Sequence, residues 1–246
     1  ARAYPGAVEL AVAWDPTAWV VAVEAPALRY APGLSLAYRG GLPPQVGLFA
    51  DGEWAGAVTR WASDSSSLVF ARWLPSAAPY AWGRPSRVLV LAAGGGLEVL
   101  SALAHGARFV EAVDLSPSVV RVADRVAGPG SSPYARPEVR VVVADARAAL
   151  RRGGERFDVI QIGPAGSLAS AAAGVYAGDA DYLNTVEGYA DAVRRLAPGG
   201  VLAVTRWIRW PARDNLRVIA TAAAALRALG FDDVGPRLAV LRSWSN

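Results

Sequence analysis

The sequence predicts an α/β protein in which a doubly wound, mostly parallel sheet follows a small antiparallel β domain. Short β-type runs separated by turn residues occupy residues 7 to 60. From Arg87 onward strand-like and helix-like runs alternate, and several strands are continuous apolar runs, as expected when helices cover both faces of a sheet. The first of these strands leads into Gly94-Gly95-Gly96, a turn typical of a nucleotide-binding strand-turn-helix unit.

The small β domain is assigned to residues 1–64. Its strands are predicted at 7–14, 19–24, 46–50 and 54–60, because turn clusters such as Asp51-Gly52 separate these runs. Residues 65–86 are predicted to form a connecting helix, over 65–80, and a linker that ends near Gly83-Arg84-Pro85.

The remaining residues, 87–246, are assigned to the α/β domain. Its strands are predicted at 87–92, 109–114, 138–143, 157–162 and 200–205. Its helices are predicted near 96–105, 117–127, 146–151, 185–196 and 212–229. A final apolar run from Arg237 to Leu241 predicts one more strand.

Composition excludes several kinds of chemistry. All 25 basic residues are arginine, so neither a Schiff-base lysine nor a phosphate-loop lysine is available. The absence of cysteine removes disulfides and thiolate nucleophiles, and His105 is the only histidine, which argues against a Ser-His-Asp triad and against a metal site. The net charge of +4 is spread over predicted helix faces, so we expect no nucleic-acid partner.

Two acids follow strands that lie next to the glycine turn. Asp114 comes eighteen residues after Gly96, at the tip of the second parallel strand, where a carboxylate accepts both hydroxyls of a ribose. Asp145 follows the third strand, where a carboxylate accepts a hydrogen bond from the exocyclic amine of adenine. The alternative for each acid is a capping role, Asp114 at the turn after it and Asp145 at the next helix.

The glycine turn differs from a dinucleotide fingerprint. Read as Gly94-x-Gly96-x-x-Val99, it lacks the third glycine that packs the helix closely on the strand. A nicotinamide-dependent dehydrogenase is therefore the weakest of the hypotheses for this chain.

Five further segments follow in order along the chain. They are Val113-Asp114-Leu115-Ser116-Pro117, Val143-Ala144-Asp145-Ala146, Phe157-Asp158-Val159-Ile160, Asp181-Tyr182-Leu183-Asn184-Thr185-Val186-Glu187 and Leu196-Ala197-Pro198-Gly199-Gly200-Val201-Leu202. With the glycine turn, the first three and the last of these segments resemble class I S-adenosylmethionine-dependent methyltransferases. The small β domain and the segment from Asp181 to Glu187 resemble, within that superfamily, the spermidine synthase-like group, and the resemblance covers about residues 45 to 242. The resemblance implies a Rossmann-like methyltransferase sheet.

The resemblance also implies a cofactor site for S-adenosylmethionine or its decarboxylated form. Gly94 and Gly96 would line its methionine and ribose portion, Asp114 would hold the ribose, and Asp145 with Ala146 would hold the adenine. The remaining residues assigned to this site are Gly95, Leu115 and Gly163.

The chain departs from true aminopropyltransferases at two positions. Those enzymes carry an acid within the glycine turn and another directly after the fourth strand, where this chain has Gly95 and Gly163-Pro164. Without these two acids, the positive charges of a polyamine substrate would lack carboxylate partners in the site. The sequence therefore favours methyl transfer to a small molecule over aminopropyl transfer to a polyamine.

Candidate acceptor-site residues follow the fourth and fifth strands. We expect Asp179, Asp181, Arg206 and Trp207 to bind the substrate, and Tyr182 or Glu187 to accept a proton. Arg206 suits an anionic group, and Trp207 suits a flat or cationic one. The alternatives are that Glu187 is an ordinary first-turn helix acid and that Trp207 only packs the two domains together.

The leading hypothesis is thus an S-adenosylmethionine-dependent transferase, with aminopropyl transfer as the first alternative. A second alternative is a non-catalytic nucleoside-binding domain of a larger membrane-associated protein, because the segment around Asp181 is similar to bacterial proteins that join such a domain to membrane segments. The chain itself contains no predicted membrane span. We expect a cytoplasmic protein, a small-molecule partner and a homodimer.

Overall fold

The computed structural model describes residues 4–61, 65–164, 182–208 and 211–243. Two sheets make up its framework, one of four strands and one of five. Both kinds of sheet that the sequence predicted, antiparallel first and parallel second, are confirmed.

The first sheet is antiparallel and follows chain order. Its strands are β1 (Val8–Asp15), β2 (Ala18–Glu24), β3 (Gln45–Ala50) and β4 (Glu53–Thr59). The turn from β3 to β4 uses Asp51 and Gly52, both at positive φ, which explains why a turn-forming pair stands there.

The segment between the sheets differs from the single helix that the sequence predicted over 65–80. It forms two 3-10 helices, Ser65–Trp73 and Pro75–Trp82. Pro75 and Pro79 have no backbone N–H to donate, and Pro79 lies inside the second helix. Two prolines four residues apart therefore prevent one continuous α-helix.

The second sheet is parallel, with the order β7-β6-β5-β8-β9. Its strands are β5 (Arg87–Leu91), β6 (Phe109–Asp114), β7 (Val139–Val143), β8 (Phe157–Ile162) and β9 (Leu196–Val204). Chain order reverses direction between β5 and β8, so the carboxyl ends of these two strands form the crevice where open α/β sheets bind ligands.

Five α-helices of the described residues flank this sheet. They are α1 (Leu97–Ala104), α2 (Pro117–Ala127), α3 (Ala146–Arg151), α4 (Val186–Arg194) and α5 (Arg213–Ala228). Ser116 and Thr185 accept hydrogen bonds from the backbone N–H groups of Val119 and Gly188, so α2 and α4 begin at side-chain caps.

Two predictions at the end of the chain need correction. Strand β9 begins at Leu196 rather than at residue 200, and its register against β8 shifts between Leu196 and Val201, a stretch that contains Gly199 at a positive φ of 77°. The predicted strand from Arg237 to Leu241 is wrong: a 3-10 turn occupies Gly235–Arg237, and residues 238–243 form no strand. Val240 and Leu241 are exposed, so no neighbouring strand covers this run.

The two sheets share a hydrophobic core through α2. Val20 and Leu48 of the first sheet belong to the same buried cluster as Val122 of α2 and Val90 of β5. Asp15, at the end of β1, accepts hydrogen bonds from the Ser116 hydroxyl and the Ser118 N–H, both at 2.8 Å. The first sheet is thereby held against the loop that carries Asp114.

Candidate functional site

The glycine turn after β5 is held in a left-handed conformation. Gly94 and Gly96 have φ values of 54° and 84°, and Ala92 also has a positive φ, at 55°. A Cβ atom on Gly96 would lie 2.5 Å from the Pro133 ring, so both conformation and space require glycine there. The Tyr134 hydroxyl donates a 2.6 Å hydrogen bond to the Gly94 carbonyl and thereby stabilises the turn.

Asp114 lies beside this turn, at the tip of β6. One carboxylate oxygen accepts the Gly94 N–H at 2.8 Å, and the other accepts the Ser116 N–H at 3.0 Å. Burial raises the pKa of Asp114, while the hydrogen bonds from Gly94 and Ser116 act to lower it. The capping role is therefore present, and each oxygen keeps a second lone pair that can accept a ribose hydroxyl.

Asp145 and Leu115 lie next to Asp114. The Ala144 N–H donates to the Asp114 carbonyl at 2.9 Å, which brings the tips of β6 and β7 together. Asp145 Oδ1 accepts the Ala148 N–H at 2.8 Å and caps α3, and its Oδ2 has no partner among the described residues. Leu115 is 56% exposed, so it presents an apolar surface beside both acids.

Gly95 is covered by the first sheet. A Cβ atom on Gly95 would lie 2.3 Å from the carbonyl oxygen of Ala57 in β4. This contact is with backbone, which cannot move aside as a flexible side chain could. The acid that the resemblance places at this position is therefore excluded here by the packing of β4.

Gly163 is the first residue after β8, and it contacts the predicted site residue Arg206. Its carbonyl accepts a 3.3 Å hydrogen bond from Arg206, whose guanidinium also donates to Asn184 Oδ1 at 2.5 Å. Trp207 is partly buried against the cluster that contains Ala57 and Trp61. This contact agrees with the alternative that Trp207 only packs the two domains together, and a binding role for Trp207 stays a prediction.

The predicted proton acceptors lie at the start of the segment that leads to β9. Tyr182 is 60% exposed, and Glu187 is an exposed acid in the first turn of α4. Asp179 and Asp181 lie outside the described residues. The structure therefore places Asp114 and Asp145 at the ends of β6 and β7, and Gly163 with Arg206 at the end of β8, with the glycine turn after β5 between them.

Glu98 is a site residue that sequence reasoning did not identify. It lies in the first turn of α1 and is only 5% exposed. A Cβ atom on Gly163 would lie 3.0 Å from both Cδ and Oε2 of Glu98, so the carboxylate rests directly against the residue that ends β8. The available signal was an acid within the otherwise apolar run Leu97-Glu98-Val99-Leu100.

The electrostatic setting of Glu98 is unusual for a carboxylate. Its Oε1 atom is buried and has no hydrogen-bond partner among the described residues. Burial raises the pKa of Glu98 from 4.5 to about 7, against the lowering effect of its own backbone N–H. Strongly perturbed acids in a crevice are frequent at functional sites.

No group of three or more histidine, aspartate or glutamate side chains is arranged to hold a metal ion within the described residues. The described helices include none with both the length and the apolar character needed to cross a membrane.

Comparison with known proteins gives similarity in structure alone. No protein-family model and no curated protein sequence matches the chain. A spermidine synthase in complex with the transition-state analogue AdoDATO shares 17% identity with a TM-score of 0.55, over 90% of this chain and 62% of that one. The spermidine synthase from Thermotoga maritima shares 18% identity with a TM-score of 0.56, over 90% and 63%. The chain thus has the fold of spermidine synthases and spans less than two thirds of their length.

Proposed function

We propose that this chain binds an adenosine nucleoside with a sulfonium centre and transfers an alkyl group from it, the leading reaction being aminopropyl transfer to an amine. The observation that carries the proposal is the pair of acids, Asp114 and Asp145, at adjacent strand tips beside the glycine turn. Each acid has acceptor capacity left after its backbone hydrogen bonds.

The described residues fit such a ligand in three ways. Asp114 and Asp145 offer acceptors for ribose hydroxyls and for the adenine amine, and Leu115 offers an apolar surface for the base. Glu98 holds a buried oxygen that accepts no hydrogen bond from a described residue. Similarity to solved spermidine synthases, one of them bound to a transition-state analogue, favours aminopropyl transfer over the methyl transfer that the sequence favoured.

The chemistry asks little covalent help from the protein. A bound sulfonium donor supplies an activated carbon, whose bond to sulfur breaks as the bond to the nucleophile forms, and the electron pair leaves with a neutral thioether. The chain has to hold the nucleoside, exclude water and remove a proton from the attacking group. For the last task we propose Tyr182 or Glu187, with Asp179, Asp181, Arg206 and Trp207 around the acceptor.

Methyl transfer is the second candidate, and one observation favours it. The two positions expected to bear acids in aminopropyltransferases are Gly95 and Gly163, and Gly95 has no room for a side chain. A small acceptor without several positive charges would not need those carboxylates.

Two measurements test the proposal. Calorimetric titration with methylthioadenosine should show binding, since this ligand contains the ribose and adenine that Asp114 and Asp145 would hold. Incubation with decarboxylated S-adenosylmethionine and putrescine should then release methylthioadenosine, whereas incubation with S-adenosylmethionine and a methyl acceptor would release S-adenosylhomocysteine. The released nucleoside therefore identifies the transferred group.

The outcomes separate the hypotheses. Absence of binding by methylthioadenosine, S-adenosylhomocysteine and both sulfonium donors would overturn the proposed nucleoside site. Binding without product from either donor, across broad panels of acceptors, would support the non-catalytic domain instead.

A further inference from the structure

We propose that the Glu98 carboxylate binds a primary ammonium group of the ligand at the junction of β5 and β8, and thereby selects a donor tail that carries an amine and lacks an α-carboxylate. The inference rests on the proposed nucleoside site and adds a specificity residue to it.

The position of Glu98 is the first argument. Its carboxylate lies against Gly163, at the carboxyl end of β8, and its backbone belongs to the helix that follows β5. These two strands are the neighbours between which chain order reverses. In open α/β sheets the ligand lies in the crevice at this point, so a group extending from a nucleoside beside the glycine turn would reach Glu98.

The missing counter-charge is the second argument. A carboxylate that is 5% exposed loses most of its hydration, and Oε1 of Glu98 gains no hydrogen bond from a described residue in return. The predicted site cation Arg206 donates to Gly163, Thr205 and Asn184. A ligand ammonium would supply both the charge and the donors that the carboxylate lacks.

The surroundings form the third argument. Tyr30, Tyr80 and Tyr134 are buried, and besides burial the charge of Glu98 contributes to the raised pKa of each. The hydroxyls of Tyr80 and Tyr134 donate to Gln161 and to the Gly94 carbonyl. Buried tyrosines near a carboxylate that forms no ion pair with a described residue suit an ammonium ion rather than an anion.

The two glycines explain why the acid comes from a helix. A side chain on Gly95 would collide with the Ala57 carbonyl, and a Cβ atom on Gly163 would press on the Glu98 carboxylate at 3.0 Å. Both glycine positions are therefore filled by neighbouring groups. The negative charge at this junction therefore comes from the first turn of α1, two residues after Gly96.

The test uses three thioethers of adenosine, each with an uncharged sulfur, that differ only in the tail: aminopropyl, butyl and homocysteine. In the wild-type chain the aminopropyl ligand should bind about 10- to 100-fold more tightly than the butyl ligand, because the ammonium pairs with a buried carboxylate. The aminopropyl ligand should also bind more tightly than the homocysteine ligand, because the α-carboxylate of the latter would face Glu98. In Glu98→Gln both advantages should shrink to about twofold, with the affinity for the butyl ligand retained.

Glu111→Gln is the matched control. Glu111 is also a buried glutamate, but it pairs with Arg140. This substitution should leave the ratio of aminopropyl to butyl affinity unchanged.

The possible results distinguish the two proposals. A wild-type chain that binds all three ligands equally, or a Glu98→Gln variant that keeps the wild-type ratio, overturns the role of Glu98 and leaves the nucleoside site intact. Failure of all three ligands to bind overturns the nucleoside site and the role of Glu98 together. The wild-type comparison decides the question even if the variant does not fold.

Discussion

The two sides of the crevice obtain their acids in different ways. On the side of β6 and β7, Asp114 is the last residue of β6 and Asp145 comes two residues after β7, so both acids stand at strand tips and also accept local backbone N–H groups. On the side of β5 and β8, the strands run into Gly94-Gly95 and Gly163, and the acid is Glu98 from the following helix.

The difference concerns partners as much as position. Asp114 receives a backbone N–H on each oxygen, and Asp145 receives one on Oδ1, so these acids are useful to the fold without any ligand. Glu98 Oε1 is buried and receives no hydrogen bond from the described part of the chain. One side of the crevice is thus stable alone, whereas the other carries a cost that a cationic ligand would offset.

The largest effect is expected for Asp114→Asn. The amide can present only one acceptor oxygen, so its NH₂ group must face either the Gly94 N–H or the Ser116 N–H, and a ribose hydroxyl loses a charged acceptor. We expect the affinity for methylthioadenosine to fall about 100-fold, measured by calorimetric titration. Asp124→Asn, on the exposed face of α2, is the control and should bind as the wild type does. Equal affinity in both variants would make Asp114 a purely structural acid.

The sequence was sufficient for the side of β6 and β7, because the features there are local. An apolar run followed by an acid places that acid at a strand tip, so Asp114 and Asp145 were found without coordinates. Caps such as Ser116 before Pro117 follow from equally local rules.

The sequence was insufficient where contacts between distant segments determine which residues are buried at the site. Glu98 is buried because Gly163 leaves space for it, and Gly95 is closed off by Ala57; both contacts join segments far apart in the chain. The pair Pro75 and Pro79 did carry a local signal against one long helix, whereas the C-terminal run from Arg237 lacks the neighbouring strand that its apolar pattern presumed.

An effect of intermediate size is expected for Glu98→Gln on stability. Burial raises the pKa of Glu98 to about 7, so the folded state binds a proton that the unfolded state has released between pH 4.5 and 7. Its contribution to stability is therefore full below pH 4.5 and is lost as the pH rises through 7. The neutral glutamine should make the variant more stable than the wild type at pH 8. Between pH 5 and pH 8, the free energy of unfolding of the variant should rise relative to that of the wild type by on the order of 1–3 kcal/mol.

Denaturant unfolding at the two pH values measures this change. Glu111→Gln is again the control: it breaks the ion pair with Arg140 and should lower stability at pH 8 instead of raising it. A Glu98→Gln variant with the same pH dependence as the wild type would show that the carboxylate is not held in an unfavourable charged state, and the contrast between the two sides of the crevice would disappear.

The smallest effect separates the two roles of Asp145. Asparagine caps helices as well as aspartate does, so Asp145→Asn should keep the Ala148 hydrogen bond and change the free energy of unfolding by less than about 0.5 kcal/mol, whereas Asp145→Ala should cost about 1 kcal/mol. With its single oxygen used by the cap, the asparagine would turn an NH₂ group toward the adenine amine, and methylthioadenosine should bind about 5- to 10-fold more weakly. Thermal unfolding and calorimetric titration of both variants make the comparison. If Asp145→Asn binds like the wild type, Asp145 is only a helix cap, and the acids on the side of β6 and β7 reduce to Asp114.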